Sequence, residues 1–180
     1  MRRPAAAAAR PASPALQLLT PLIFVSHPSP SRSKAAAVIY ASERNLGNAT
    51  GTRLFSVSAD AGATFSRSGT AAGLPDVVTS NWTGVVSGLS RFDARGAGAG
   101  LLVFTTPAAA GVRANLSLWL SRDAGATWGA PALQLWGGPA AYSDVSQLNE
   151  THVGVVFEGG SAASGDFAAA IYFAAVAVPM

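Results

Sequence analysis

The sequence predicts an all-β chain of short strands joined by tight turns. Three observations carry this expectation. An octapeptide occurs twice, each copy follows a strand-like run, and 19 glycines and 11 prolines in 180 residues break the chain into short pieces despite its alanine content.

The first copy is Ser58-Ala59-Asp60-Ala61-Gly62-Ala63-Thr64-Phe65 and the second Ser121-Arg122-Asp123-Ala124-Gly125-Ala126-Thr127-Trp128; six of eight positions are identical, and the last is aromatic in both. D-x-G is turn chemistry. The Asp carboxylate accepts hydrogen bonds from the backbone ahead of it, and Gly takes a positive φ. The run before the first copy is residues 53–57. The run before the second, 115–120, alternates cleanly, with Leu116, Leu118 and Leu120 on one face. Each copy therefore marks a turn closing a strand, and its aromatic is expected to lock the returning strand. Further strands are expected at residues 37–42, 77–80, 84–89, 101–105, 132–136, 153–157 and 168–178. The last is alanine-rich, but Ile171, Tyr172, Phe173 and Val176 favour a strand over a helix.

Residues 1–34 read differently from the remainder, 35–180. They hold five of the twelve basic residues, Arg2, Arg3, Arg10, Arg32 and Lys34, and no acid. This basic, Pro/Ala/Ser-rich leader is open to three readings: a signal peptide, an organelle transit peptide, or a disordered start. Its apolar stretch is too short and broken to span a bilayer. The body carries seven arginines against nine acids, so the net charge of +3 belongs to the leader. With no basic stripe interleaved with aromatics, the chain is not expected to bind nucleic acid. A composition of 49% hydrophobic and 12% charged residues excludes a disordered polyelectrolyte.

There is no cysteine, and the two histidines, His27 and His152, lack ligand spacing, so neither a metal nor a cofactor is expected. N-x-[ST] triplets begin at Asn48, Asn81, Asn115 and Asn149. All four are permissible glycosylation acceptors, and together they suggest a secretory route. The oligomeric state is not legible.

The octapeptides match the Asp box, S-x-D-x-G-x-T-[WF], and the chain around them resembles the sialidase (neuraminidase) family. The resemblance covers roughly residues 36–178. It is carried by LLVFTTP at 101–107, VRANLSL at 112–118, LQLWGGPAAYSD at 133–144 and VVFE at 155–158, and it is strongest toward the lysosomal members. It implies a six-bladed sialidase-type β-propeller of which this chain supplies the C-terminal portion. At about 40–50 residues per blade, that portion is about three blades.

The resemblance also implies an exo-α-sialidase, a glycosidase releasing terminal sialic acids from glycoproteins, glycolipids and oligosaccharides. A lysosomal or extracellular setting and a part in ganglioside and oligosaccharide catabolism go with it. Sialic acid carries a carboxylate at its anomeric carbon, which a planar guanidinium binds best. Three arginines share that task in the family; Arg53 matches the second and Arg113 the third. Each lies five to eight residues before its Asp box, at the opposite end of a strand from the turn, so the two arginines can converge on one face of the propeller. Tyr142 occupies the nucleophile position. Sialidases use tyrosine where other glycosidases use a carboxylate. A phenol stays neutral beside the substrate carboxylate until a base removes its proton. Glu158 matches the glutamate that orients the first arginine.

Three further groups of a working sialidase have no counterpart in the 180 residues: the acid/base aspartate, the first arginine and the glutamate that activates the tyrosine. The expectation is thus a poorly active sialidase portion. The alternative is a catalytically inactive sialoglycan-binding or structural module of the same fold.

Overall fold

The computed structural model describes residues 22–25, 38–45, 51–79, 83–93 and 101–180. These residues form strands and no helix. The strands are β1 (Leu22–Val25), β2 (Ile39–Glu43), β3 (Thr52–Ser58), β4 (Arg67–Pro75), β5 (Gly88–Arg91), β6 (Leu102–Pro107), β7 (Ala114–Ser121), β8 (Leu133–Gln147), β9 (His152–Gly159) and β10 (Ala170–Ala177). All pair antiparallel with their sequence neighbours, in a sheet β1-β2-β3-β4 and a sheet β5-β6-β7-β8-β9-β10.

The second sheet is two blades joined by one strand. The first half of β8 pairs with β7, from Leu118↔Leu133 to Ala114↔Pro139. Its second half pairs with β9, from Ala140↔Gly159 to Gln147↔Val153. β8 thus closes one blade and opens the next, and the expected three blades are present: β1–β4, then β5 to the first half of β8, then its second half with β9 and β10. The leading strands lie side by side, β1 against β5 and β5 against β8. β1 falls within residues 1–34, so part of that segment belongs to the sheet.

The middle blade is buried on both faces. Leu102, Phe104 and Trp119 pack with Tyr40, Ala71, Leu74 and Trp128 on the side of the first blade. Val103, Leu116 and Leu118 pack with Val145, Val153, Val155 and Phe157 on the side of the third. This explains why β6 is buried at every position and reads as a continuous apolar run rather than an alternating one. Beside this apolar contact the middle blade carries buried hydroxyl pairs, one of which reaches the third blade. Thr105 Oγ1 and Ser143 Oγ lie 3.0 Å apart, and Ser87 Oγ donates to Thr106 Oγ1 at 2.8 Å. The far face of the third blade leaves Val156, Ile171 and Phe173 exposed.

The structure corrects four expectations. Residues 77–79 and 84–87 are not strands, while residue 80 lies outside the described residues; Val78 forms an isolated bridge with Thr83, and the Gly84 amide donates to the Val77 carbonyl at 2.7 Å. The Val85 amide and carbonyl are taken by the side chains of Asp76 and Arg53, so no ladder can use them. β4 was not expected at all, because RSGTAAGLP has no apolar alternation; it forms against β3, which supplies its ladder. The strand expected at 132–136 runs on to Gln147 as β8, so Tyr142 lies inside it, at a register shift between Ala140 and Ser143. Finally, the two box aromatics differ: Trp128 is 6% exposed in the core, but Phe65 is 46% exposed and locks nothing.

The two Asp boxes fold identically. Asp60 Oδ1 accepts from Ser58 Oγ at 2.7 Å and from the Thr64 amide at 2.8 Å, while Oδ2 accepts from Thr64 Oγ1 at 2.7 Å. The corresponding distances at Asp123 are 2.7, 2.9 and 2.6 Å. In each turn an alanine precedes the glycine at positive φ: 58° and 91° at Ala61 and Gly62, 56° and 84° at Ala124 and Gly125. Hydrogen bonds from the following threonine, hydroxyl first and amide second, hold both carboxyls down at about 2.

Folded pKa values below the ordinary 3.8 mean stability that is complete above about pH 4. It is lost as the pH falls through about 2. The melting temperature is therefore expected to drop between pH 4 and pH 2, and Asp60→Asn with Asp123→Asn should flatten that drop. An unchanged slope in the double variant would place the acid sensitivity elsewhere.

Candidate active site

Arg53 is the second residue of β3, and Arg113 immediately precedes β7. Both lie at the strand ends opposite their Asp boxes. The segment between Asp76 and β5 brings the two together. Arg53 Nη1 donates to the Val85 carbonyl, and Arg113 Nη2 donates to the adjacent Gly84 carbonyl at 3.4 Å. The two guanidinium groups therefore flank one stretch of backbone.

Their electrostatic settings differ. Arg53 is 2% exposed. Its Nη1 is 3.0 Å from Asp76 Oδ1, its Nε donates to Ser42 Oγ at 3.1 Å, and its guanidinium carbon lies 5.5 Å from the centre of the Phe104 ring. Burial pulls the guanidinium below its ordinary range, and the Asp76 charge opposes the shift. Arg113, by contrast, has no carboxylate within ion-pair distance among the described residues. Its Nε is buried without an acceptor. Its guanidinium carbon is 5.5 Å from the centre of the Tyr142 ring and 4.9 Å from that of Phe167.

Tyr142 is 38% exposed. The crossing of β8 between blades presents it, because the buried Ala141 and Ser143 on either side anchor the strand. Glu158 on β9 accepts a hydrogen bond from the Tyr142 amide at 3.3 Å. Arg113, Tyr142 and Glu158 are thus assembled around one spot. Arg53 lies one backbone carbonyl away, already neutralised by Asp76.

Beside Arg113 an open cleft of about 590 Å³ is lined by Val112, Pro139, Ala162, Phe167 and the glycines 137 and 138. Its wall mixes apolar side chains with glycine backbone and Thr79, and among the described residues Arg113 is its one charged side chain. An arginine without a counter-ion at the edge of a cleft has N–H groups to offer a ligand carboxylate.

Sequence reasoning missed Asp76 and Phe167. Asp76 accepts from Arg53 Nη1, from the Asn45 amide at 2.6 Å and from the Val85 amide at 3.0 Å, and so organises the whole backbone beneath the arginines. Its only local signal was an acid in a run of apolar residues. Of the sequon asparagines, Asn115 is half-buried at φ 58°, and Asn149 is exposed in a turn, where its Oδ1 accepts from the Thr151 and His152 amides. Asn48 and Asn81 lie outside the described residues.

Blades of this kind, closed by Asp boxes, define a partial β-propeller of the sialidase type. The chain belongs to the BNR repeat-like domain family, whose profile matches residues 24–155. Among solved structures it is similar to the Hadza microbial sialidase Hz136, with 25% identity and a TM-score of 0.60, over 78% of this chain and 25% of that one. It also shares the fold of the intramolecular trans-sialidase from Ruminococcus gnavus, solved with oseltamivir carboxylate, at 13% identity and a TM-score of 0.63 over 89% and 33% of the two chains. The NanB sialidase from Streptococcus pneumoniae matches at 22% identity and a TM-score of 0.58, over 86% and 22%. The chain spans between about a fifth and a third of the length of these sialidases. No curated protein gives a significant match. Among the described residues no helix is long and apolar enough to cross a membrane.

Proposed function

We propose that the chain is the C-terminal portion of an exo-α-sialidase-type glycoside hydrolase, of the lysosomal kind, and that it holds the carboxylate-binding and nucleophile side of the site. One observation carries this reading: Arg113, with no counter-ion, stands beside an exposed Tyr142 whose backbone is fixed by Glu158. In this scheme Arg113 binds the sialic acid carboxylate, with Arg53 behind it. The Tyr142 phenol attacks the anomeric carbon as the aglycone leaves, and water then displaces the tyrosine with net retention. The proton that must reach the leaving oxygen, and the base that must take the phenol proton, have no identified donor or acceptor in this chain. Losing such cooperating groups costs orders of magnitude in rate.

The rest of the reading goes with the family: substrates among sialylated glycoproteins, gangliosides and oligosaccharides, a secretory route to the lysosome or cell exterior, and glycosylation. The exposed Asn149 supports the last of these.

The test is turnover of a fluorogenic sialoside by the purified chain beside Tyr142→Phe. The expected result is little or no turnover by the chain, at a rate close to that of Tyr142→Phe. Robust turnover that disappears in Tyr142→Phe would show that the chain needs no further groups and would overturn the partial-site reading.

A further inference from the structure

We infer that Phe167 is a positioning residue for Arg113, resting on the reading of Arg113 as the carboxylate-binding arginine. Two aromatic rings face the same guanidinium, Phe167 at 4.9 Å and Tyr142 at 5.5 Å from its carbon, both within the range of cation–π attraction. The guanidinium needs such support. Its Nε has no acceptor, and its hydrogen bond to the Gly84 carbonyl is long at 3.4 Å. Hydrogen bonding therefore holds this arginine weakly, and the two rings supply its packing support. A guanidinium held by rings rather than by an ion pair keeps N–H groups for a carboxylate, which bonds in the guanidinium plane.

The loop that carries Phe167 is built to hold the ring in place. The Ser164 and Gly165 amides both donate to the Ser161 carbonyl at 3.2 Å, and Gly165 takes a φ of 65°. The Ala168 amide donates to Asp166 Oδ1 at 2.9 Å. The loop packs just past the end of β9, where a Cβ added to Gly160 would collide with the Asp166 carbonyl oxygen. That contact ties Phe167 to the strand that carries Glu158. The same ring forms part of the wall of the cleft beside Arg113. Phe167 thus fixes the arginine and shapes the space next to it.

The test compares wild type, Phe167→Leu, which keeps apolar volume without a ring, and Phe167→Tyr, which keeps the ring. The Arg113 Nε–Hε resonance, assigned by its loss in Arg113→Ala, reports the position of the guanidinium without any ligand. Affinity for the methyl α-glycoside of N-acetylneuraminic acid reports the consequence. Phe167→Leu should move the resonance downfield as the ring current is lost and weaken binding about fivefold, and Phe167→Tyr should restore both. An unmoved resonance in Phe167→Leu, or a moved resonance with unchanged affinity, overturns the inference. If wild type binds no sialoside while Phe167→Leu still moves the resonance and Phe167→Tyr restores it, the positioning of Arg113 stands and the sialidase reading fails.

Discussion

Asp76→Ala is expected to destabilise the fold by about 3–5 kcal/mol, the usual cost of removing one partner from a buried ion pair. The carboxylate is 1% exposed and holds three donors: the Arg53 guanidinium and the Asn45 and Val85 amides. Without it Arg53 becomes an unneutralised charge in the interior, and two buried amides lose their acceptor. A domain with a typical stability of about 5–15 kcal/mol would retain little. Replacing both partners, Arg53→Met with Asp76→Leu, should cost less than Asp76→Ala alone, because no lone charge is left behind. Urea unfolding of the three proteins measures this. Equal losses in the single and double variants would mean that the ion pair does not organise this part of the fold.

The second large effect concerns ligand binding. Arg113→Ala is expected to lower affinity for a sialoside by about 2–3 kcal/mol, or roughly 30- to 150-fold, the range for a charge-assisted, partly desolvated guanidinium–carboxylate contact. Arg113 can contribute this much because no carboxylate among the described residues competes for it. Arg53 cannot substitute, since Asp76 already takes its Nη1. Calorimetric titration reads the loss directly. Circular dichroism should show an intact fold, since the half-buried side chain of Arg113 supports no core cluster.

The two kinds of structure differ in how far they can be read from sequence. The Asp boxes are legible because they are local: Ser58, Asp60 and Thr64 satisfy one another within seven residues, and Ser121, Asp123 and Thr127 do the same. β7 is legible from its alternating leucines. Arg53, Arg113, Tyr142 and Glu158 are read only by their resemblance to a family motif, and the structure adds their neighbours. Asp76 meets Arg53 across 23 positions of sequence and Asn45 across 31, and no local pattern encodes either contact. β4 exists because β3 offers a ladder, and its own residues carry no strand period. Phe65 and Trp128 hold the same place in the same motif. Only the second is covered, by Tyr40 of the first blade at 6.3 Å and by Phe104 of its own blade at 5.8 Å. Motifs specify turns; what lies across from a turn depends on tertiary packing.

The central claim is that Arg113 receives a carboxylate. Titrating the wild-type chain and Arg113→Ala with a methyl sialoside, and with the same sugar as its carboxylate methyl ester, tests it most directly. The account predicts that wild type binds the acid, that the ester loses most of that affinity, and that Arg113→Ala binds acid and ester equally weakly. Equal binding of acid and ester by wild type, or undiminished discrimination in Arg113→Ala, would contradict it.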